Sequence, residues 1–152
     1  MSIIWKYLDK RSATIAALKD FDSMAFIIRD TEAQIQRAND KLTSAGPKLS
    51  EIPSVHDPKA TEKKILAIVD QINVLQERYR EAQEYMLWFK PAWAQLLEEE
   101  QYILKTFYSE SNGYGCNAVY VIGDKLKIEQ AAVYKRKNRA LSRLQVLLFG
   151  KG

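Results

Sequence analysis

Apolar residues recur at steps of three and four along two long stretches of the chain. The clearer stretch carries Ile65, Ile68, Ile72, Leu75, Tyr79, Ala82, Met86, Phe89, Trp93 and Leu96, alternating 3 and 4 throughout. Side chains at that spacing stack on one face of a helix, and a sustained 3-4 alternation is a heptad seam. The positions between them are mostly polar, as in Gln76-Glu77-Arg78 and Arg80-Glu81. Asp57 as N-cap and Pro58 at the first helical position open this helix, and Pro91 is expected to kink or break it. The predicted helix from about Pro58 to Lys90 is ~50 Å long at 1.5 Å per residue.

The weaker stretch places Phe21, Ile28, Ile35 and Leu42 seven apart, with Ala17, Met24, Thr31 and Ala38 between them. It predicts a helix from about Ser12 to Ser44. Thr31-Glu32-Ala33-Gln34 has the form of a capping box, which leaves a break near Asp30 open. Gly46, Pro47 and Pro53 mark a linker, and a short connection returns the second helix antiparallel to the first. The expected arm is therefore a helical hairpin over residues 1–90. Its seam (Ile65, Ile68, Ile72, Leu75, Tyr79, Ala82, Met86, Phe89) doubles as a candidate oligomerisation surface, with a homodimer the expected assembly. Trp5, Tyr7, Leu87 and Trp88 lie off the seam and need cover, which predicts burial for the aromatics.

Residues 91–152 read as a second, smaller module. Leu97, Tyr102, Ile103, Leu104 and Phe107 suggest one helix, 109–117 a loop, and Ala118–Leu126 and Ile128–Leu148 two helices in close succession. Ile122 and Leu126 share a face, Gly123 permits close approach, Ile128 fills the corner, and Val133 points inward. That is the packing logic of a helix-turn-helix. In the second helix, from about residue 129 to 148, Val133, Ala140, Leu144 and Leu148 form the inner face. The fold class is all-α: a long antiparallel, coiled-coil-like hairpin followed by a small helix-turn-helix bundle.

Charge sharpens this division. The 152 residues carry a formal net charge of +4. From Met1 to Asn117 there are 15 Lys/Arg against 17 Asp/Glu; the last 35 residues hold 8 Lys/Arg against 2 acids. A near-neutral arm joined to a basic module points to a polyanion partner. On the last long helix Gln130, Ala131, Tyr134, Lys135 and Asn138 form a polar front. Arg136, Lys137, Arg139 and Arg143 flank it, with Lys125 and Lys127 nearby. A polar centre suits base edges and a cationic rim suits phosphates, so double-stranded DNA is the expected partner.

Other chemistry is thinly provided for. One histidine, His56, and one cysteine, Cys116, supply neither a zinc set, nor an intrachain disulfide, nor the parts of a nucleophilic triad. Cys116 reads as a small apolar residue. Gly113-Tyr114-Gly115 lacks the preceding strand and following Gly-Lys-Ser/Thr of a phosphate loop. No catalytic residue, cofactor or metal is expected. With no long apolar run and no leader-like start, a cytoplasmic protein without a membrane partner is expected.

The residues from Leu97 to Leu148 resemble region four of bacterial sigma factors and the regulators built on it. The resemblance rests on Leu104-Lys105-Thr106-Phe107-Tyr108, on Ile122 through Ile128, on Val133, and on Arg139-Ala140-Leu141-Ser142-Arg143-Leu144. Two features depart from that pattern: Lys127 stands at the usual turn glycine, and the loop after Tyr108 is longer. The whole chain is similar to small prophage proteins of Gram-positive bacteria, the ArpU/RinA-like late-gene transcription regulators. That similarity is carried by the opening from Tyr7 to Leu18, by Gln76-Glu77-Arg78-Tyr79-Arg80, by Trp88-Phe89-Lys90-Pro91-Ala92-Trp93, and by Tyr134 through Leu141. It implies sequence-specific control of phage genes in a bacterial host. Two other readings share this architecture. One is a DNA-packaging protein like a small terminase subunit; the other is a module docking on RNA polymerase or another regulator without touching DNA.

Overall fold

The computed structural model describes residues 8–45, 58–108 and 116–151. They form five helices: α1 Lys10–Ala45, α2 Pro58–Ala94, α3 Glu98–Tyr108, α4 Cys116–Leu126 and α5 Gln130–Phe149. The protein is all-α, and no described residue lies in a strand. No described helix is long and apolar enough to cross a membrane. The chain divides into two compact units. One is residues 24–85; the other joins residues 1–23 to residues 86–152.

α1 begins earlier than the apolar spacing alone suggests because Asp9 caps it. The Asp9 Oδ1 accepts hydrogen bonds from the backbone N–H of Arg11 (3.1 Å) and Ser12 (3.2 Å), and Oδ2 accepts from the Ser12 hydroxyl (2.8 Å). These bonds occupy donors that the first turn leaves without helical partners. They also hold the Asp9 carboxyl below its ordinary pKa, the Ser12 hydroxyl contributing most.

The helix does not break at Asp30. It runs unbroken to Ala45. Thr31 is buried on the seam beside half-buried Ile28 and Ile35, so packing holds it helical. Gln34 donates to the Asp30 carboxylate one turn away, a side-chain bond suited to a continuous helix. α2 likewise continues through Pro91 to Ala94. Proline removes the N–H that would meet the Leu87 carbonyl and crowds that turn, but Ala92 is buried and Trp93 half-buried just beyond it, so packing carries the helix past the proline.

In the unit of residues 24–85 the seam positions of both helices point inward. Leu75, Ala82, Ala38 and Thr31 are buried. Met24, Ile28, Ile35, Leu42, Ile65, Ile68, Ile72 and Tyr79 are only half-buried. Two helices alone cover one another incompletely, which is the physical limit of so small a unit.

The other unit has a fuller core. Phe89 on α2 is nearly inaccessible between Phe21 (ring centroids 5.6 Å) and Trp93 (5.8 Å, stacked). Leu104, Ala140, Leu141 and Leu144 are fully buried. Trp88 is less buried than its aromatic character predicts. Its indole N–H donates to the Leu148 carbonyl at 3.3 Å and its ring meets Phe149 edge-on, while one side stays open. Leu87 is 78% exposed. Trp5, Tyr7, His56, the cap at Asp57 and the Gly113-Tyr114-Gly115 stretch lie outside the described residues.

α3 starts on three consecutive acids, Glu98, Glu99 and Glu100, which suit the positive end of the helix dipole. The Glu100 carboxylate also accepts the Leu97 N–H at 2.9 Å, the returning half of a capping box. α4 begins at Cys116, two residues ahead of the expected Ala118, so Cys116 and Asn117 are helical rather than loop.

Candidate nucleic-acid interface

α4 and α5 pack as a helix-turn-helix around Ile103, Val119, Ile122 and Val133, all buried, with Tyr102, Phe107, Leu126 and Ile128 against them. Gly123 is the point of closest approach. A Cβ there would stand 3.1 Å from the Ile128 carbonyl oxygen and 3.8 Å from Val133 Cγ2. Any larger residue would push the turn away from α4.

The turn itself is closed by Lys127. Its φ is 55°, and it is the one non-glycine residue with positive φ among those described. The Ile128 N–H donates back to the Gly123 carbonyl at 3.1 Å. A left-handed residue followed by this bond is the long hydrogen bond of a Schellman C-cap, a position glycine fills at least cost. Glu129 then enters α5 in an extended conformation with no side-chain cap, and its carbonyl accepts the Val133 N–H at 3.0 Å.

The inner face of α5 holds Val133, Ala140, Leu144 and Leu148 as expected, and Leu141 as well. The opposite face leaves Gln130, Ala131, Tyr134, Lys135, Asn138 and Arg139 exposed. Lys135 and Arg139 are one turn apart at its centre. Neither makes a hydrogen bond or ion pair among the described residues, and the same holds for Lys127 in the turn.

Arg136, Arg143, Lys125 and Lys137 are engaged within the fold. Arg136 pairs with Glu99. Arg143 Nη1 donates to Glu100 Oε1 at 2.8 Å, and its Nη2 donates to the Gln95 carbonyl at 3.2 Å. Lys125 Nζ lies 4.1 Å from the centroid of the Tyr102 ring. Lys137 Nζ sits 5.1 Å from the Phe107 centroid and 5.5 Å from that of Tyr134. These are cation–π distances. Burial lowers the Lys137 pKa, with a smaller contribution from the charge of Arg11. Burial also raises the Tyr108 hydroxyl, which Arg11 partly opposes.

Arg11 is the residue that sequence reasoning passed over. Its Nη2 donates to Asn138 Oδ1 at 3.0 Å, joining the first turn of α1 to the front of α5. The acidic start of α3 was visible as a run of three glutamates, but its pairing with α5 was not. Among the described residues there is no group of three His, Cys, Asp or Glu side chains that could hold a metal ion. Comparison with known proteins finds no match to any family model, curated protein or solved structure.

Proposed function

We propose that the protein is a sequence-specific binder of double-stranded DNA that places α5 in the major groove. The observation that carries this reading is the segregation of cations on α5. Arg136 and Arg143 are tied to α3 acids, whereas Lys135 and Arg139 stand exposed and unpaired beside Gln130 and Ala131. A folded surface that leaves adjacent cations without acids suits phosphate oxygens, and the exposed Gln130 and Tyr134 beside them suit base edges. The helix-turn-helix geometry of α4 and α5 supports the same role.

The half-buried seam of the unit of residues 24–85 supports a homodimer. A second copy is the partner whose apolar stripe matches its own, and an isologous contact lets each stripe cover the other. Regulation of prophage genes is the narrower role that the sequence resemblance implies, with RNA polymerase as a second partner.

Selection from a random-sequence duplex library with the full chain tests the reading. The expected result is an enriched motif; an unenriched pool contradicts sequence-specific binding.

A further inference from the structure

Arg11 in the first turn of α1 meets Asn138 on the front of α5. A guanidinium has no acceptor atom, so the Asn138 atom that meets Arg11 at 3.0 Å is its amide oxygen. That oxygen keeps a second lone pair, and the Nδ2 group keeps two hydrogens to offer. Reading adenine in the major groove requires an amide to accept from the base amino group and donate at once. An amino group brought to the Asn138 oxygen would meet the Arg11 guanidinium, itself a donor only, so this edge of Asn138 suits a partner rich in acceptors.

The charges around it point the same way. Neither the Arg11 guanidinium nor the Lys137 ammonium pairs with an acid among the described residues. The nearby Asp9 carboxylate is occupied by the backbone N–H groups of Arg11 and Ser12 and by the Ser12 hydroxyl. Lys137 is held against the rings of Phe107 and Tyr134, whose centroids are 6.2 Å apart. The exposed Arg11 guanidinium and the Asn138 amide beside it together present donors to the solvent, an arrangement complementary to an anion's oxygens.

We propose that Arg11 and Asn138 form a clamp for a backbone phosphate of duplex DNA, so that the first turn of α1 belongs to the DNA-binding surface and Asn138 positions the duplex rather than reading a base. This rests on the DNA-binding reading above. It reassigns one base-reading candidate and adds a residue more than a hundred positions upstream of the helix-turn-helix.

The test uses the full chain with two labelled duplexes: one carrying the selected sequence and a scrambled one of equal length. Affinity is measured across a salt series for wild type, Arg11→Gln, Arg11→Lys and Asn138→Ala. Arg11→Gln is expected to weaken both duplexes by the same factor and to flatten the slope of log affinity against log salt by about 0.9 for each chain bound, one phosphate's share. Arg11→Lys restores the slope because it restores the charge. Asn138→Ala weakens both duplexes equally and leaves their affinity ratio unchanged. An Arg11→Gln chain whose slope equals that of wild type overturns the clamp, even if its melting temperature falls. So does an Asn138→Ala chain that loses affinity for the selected duplex alone. A wild-type chain that binds neither duplex overturns the DNA-binding reading itself, and the clamp with it.

Discussion

Arg143 on α5 donates to the carboxylate of Glu100 on α3 at 2.8 Å, and the same carboxylate accepts the N–H that begins α3. The Glu100 side chain is only 14% exposed. This basic residue therefore helps hold the module together. Arg143→Ala is expected to cost about 1 kcal/mol or less, the range of partly exposed pairs. Thermal melting measures that loss. The same variant should leave the salt dependence of DNA binding close to wild type, and a slope reduced as much as that of Lys135→Ala would contradict the division of roles.

Gly123 sets how closely α4 approaches the turn. Its neighbour at 3.1 Å is a backbone oxygen, which cannot swing aside as a side chain can. Overpacking costs about 1–3 kcal/mol and the better helix propensity of alanine returns about 1, so Gly123→Ala is expected to destabilise the protein by about 1 kcal/mol net. Chemical denaturation measures it; a variant as stable as wild type would show that the turn gives way freely.

Lys127 holds a backbone conformation that glycine adopts more readily. Lys127→Gly should raise stability by about 0.5–1 kcal/mol, as relief of the left-handed strain exceeds the entropy lost on folding. The same change removes an unpaired cation beside α5, so DNA affinity should fall while the melting temperature rises. A fall in both would mean that the lysine stabilises the turn through its side chain.

The half-buried seam predicts self-association. Sedimentation of the wild-type chain at micromolar concentration should give twice the 17.5 kDa chain mass. Replacing two half-buried seam residues together, Ile68→Asp and Ile72→Asp, should yield monomers and weaken DNA binding, because a dimer engages two half-sites. A wild-type monomer would remove the dimer from the account, and a ring of eight or more copies would favour a packaging role.

Much of the helix-turn-helix was legible in the sequence because its contacts are local. Ile122, Gly123, Ile128 and Val133 lie within twelve residues, and their spacing already implies which faces meet. The seam residues were legible for the same reason, since a heptad repeat declares its inward face. Local signals misled where packing outweighs them. The capping box at Thr31 is overridden by burial of that threonine on the seam. The proline at position 91 is overridden in the same way, by burial of Ala92 just beyond it. Long-range polar pairing left no periodic trace. Nothing in the spacing joins Arg136 to Glu99 or Arg143 to Glu100, the contacts that decide which cations remain free for a ligand, and nothing in it joins Arg11 to Asn138.

The most direct test of the central claim is the salt dependence of duplex binding by the wild-type chain and by the Lys135→Ala, Arg139→Ala double variant. About five neutralised phosphates per bound chain predict a wild-type slope of roughly −4 to −5 for each chain bound, and loss of two contacts per chain should flatten it by about 1.8 for each. Salt-independent binding by the wild type, or an unchanged slope in a folded double variant, would contradict the account.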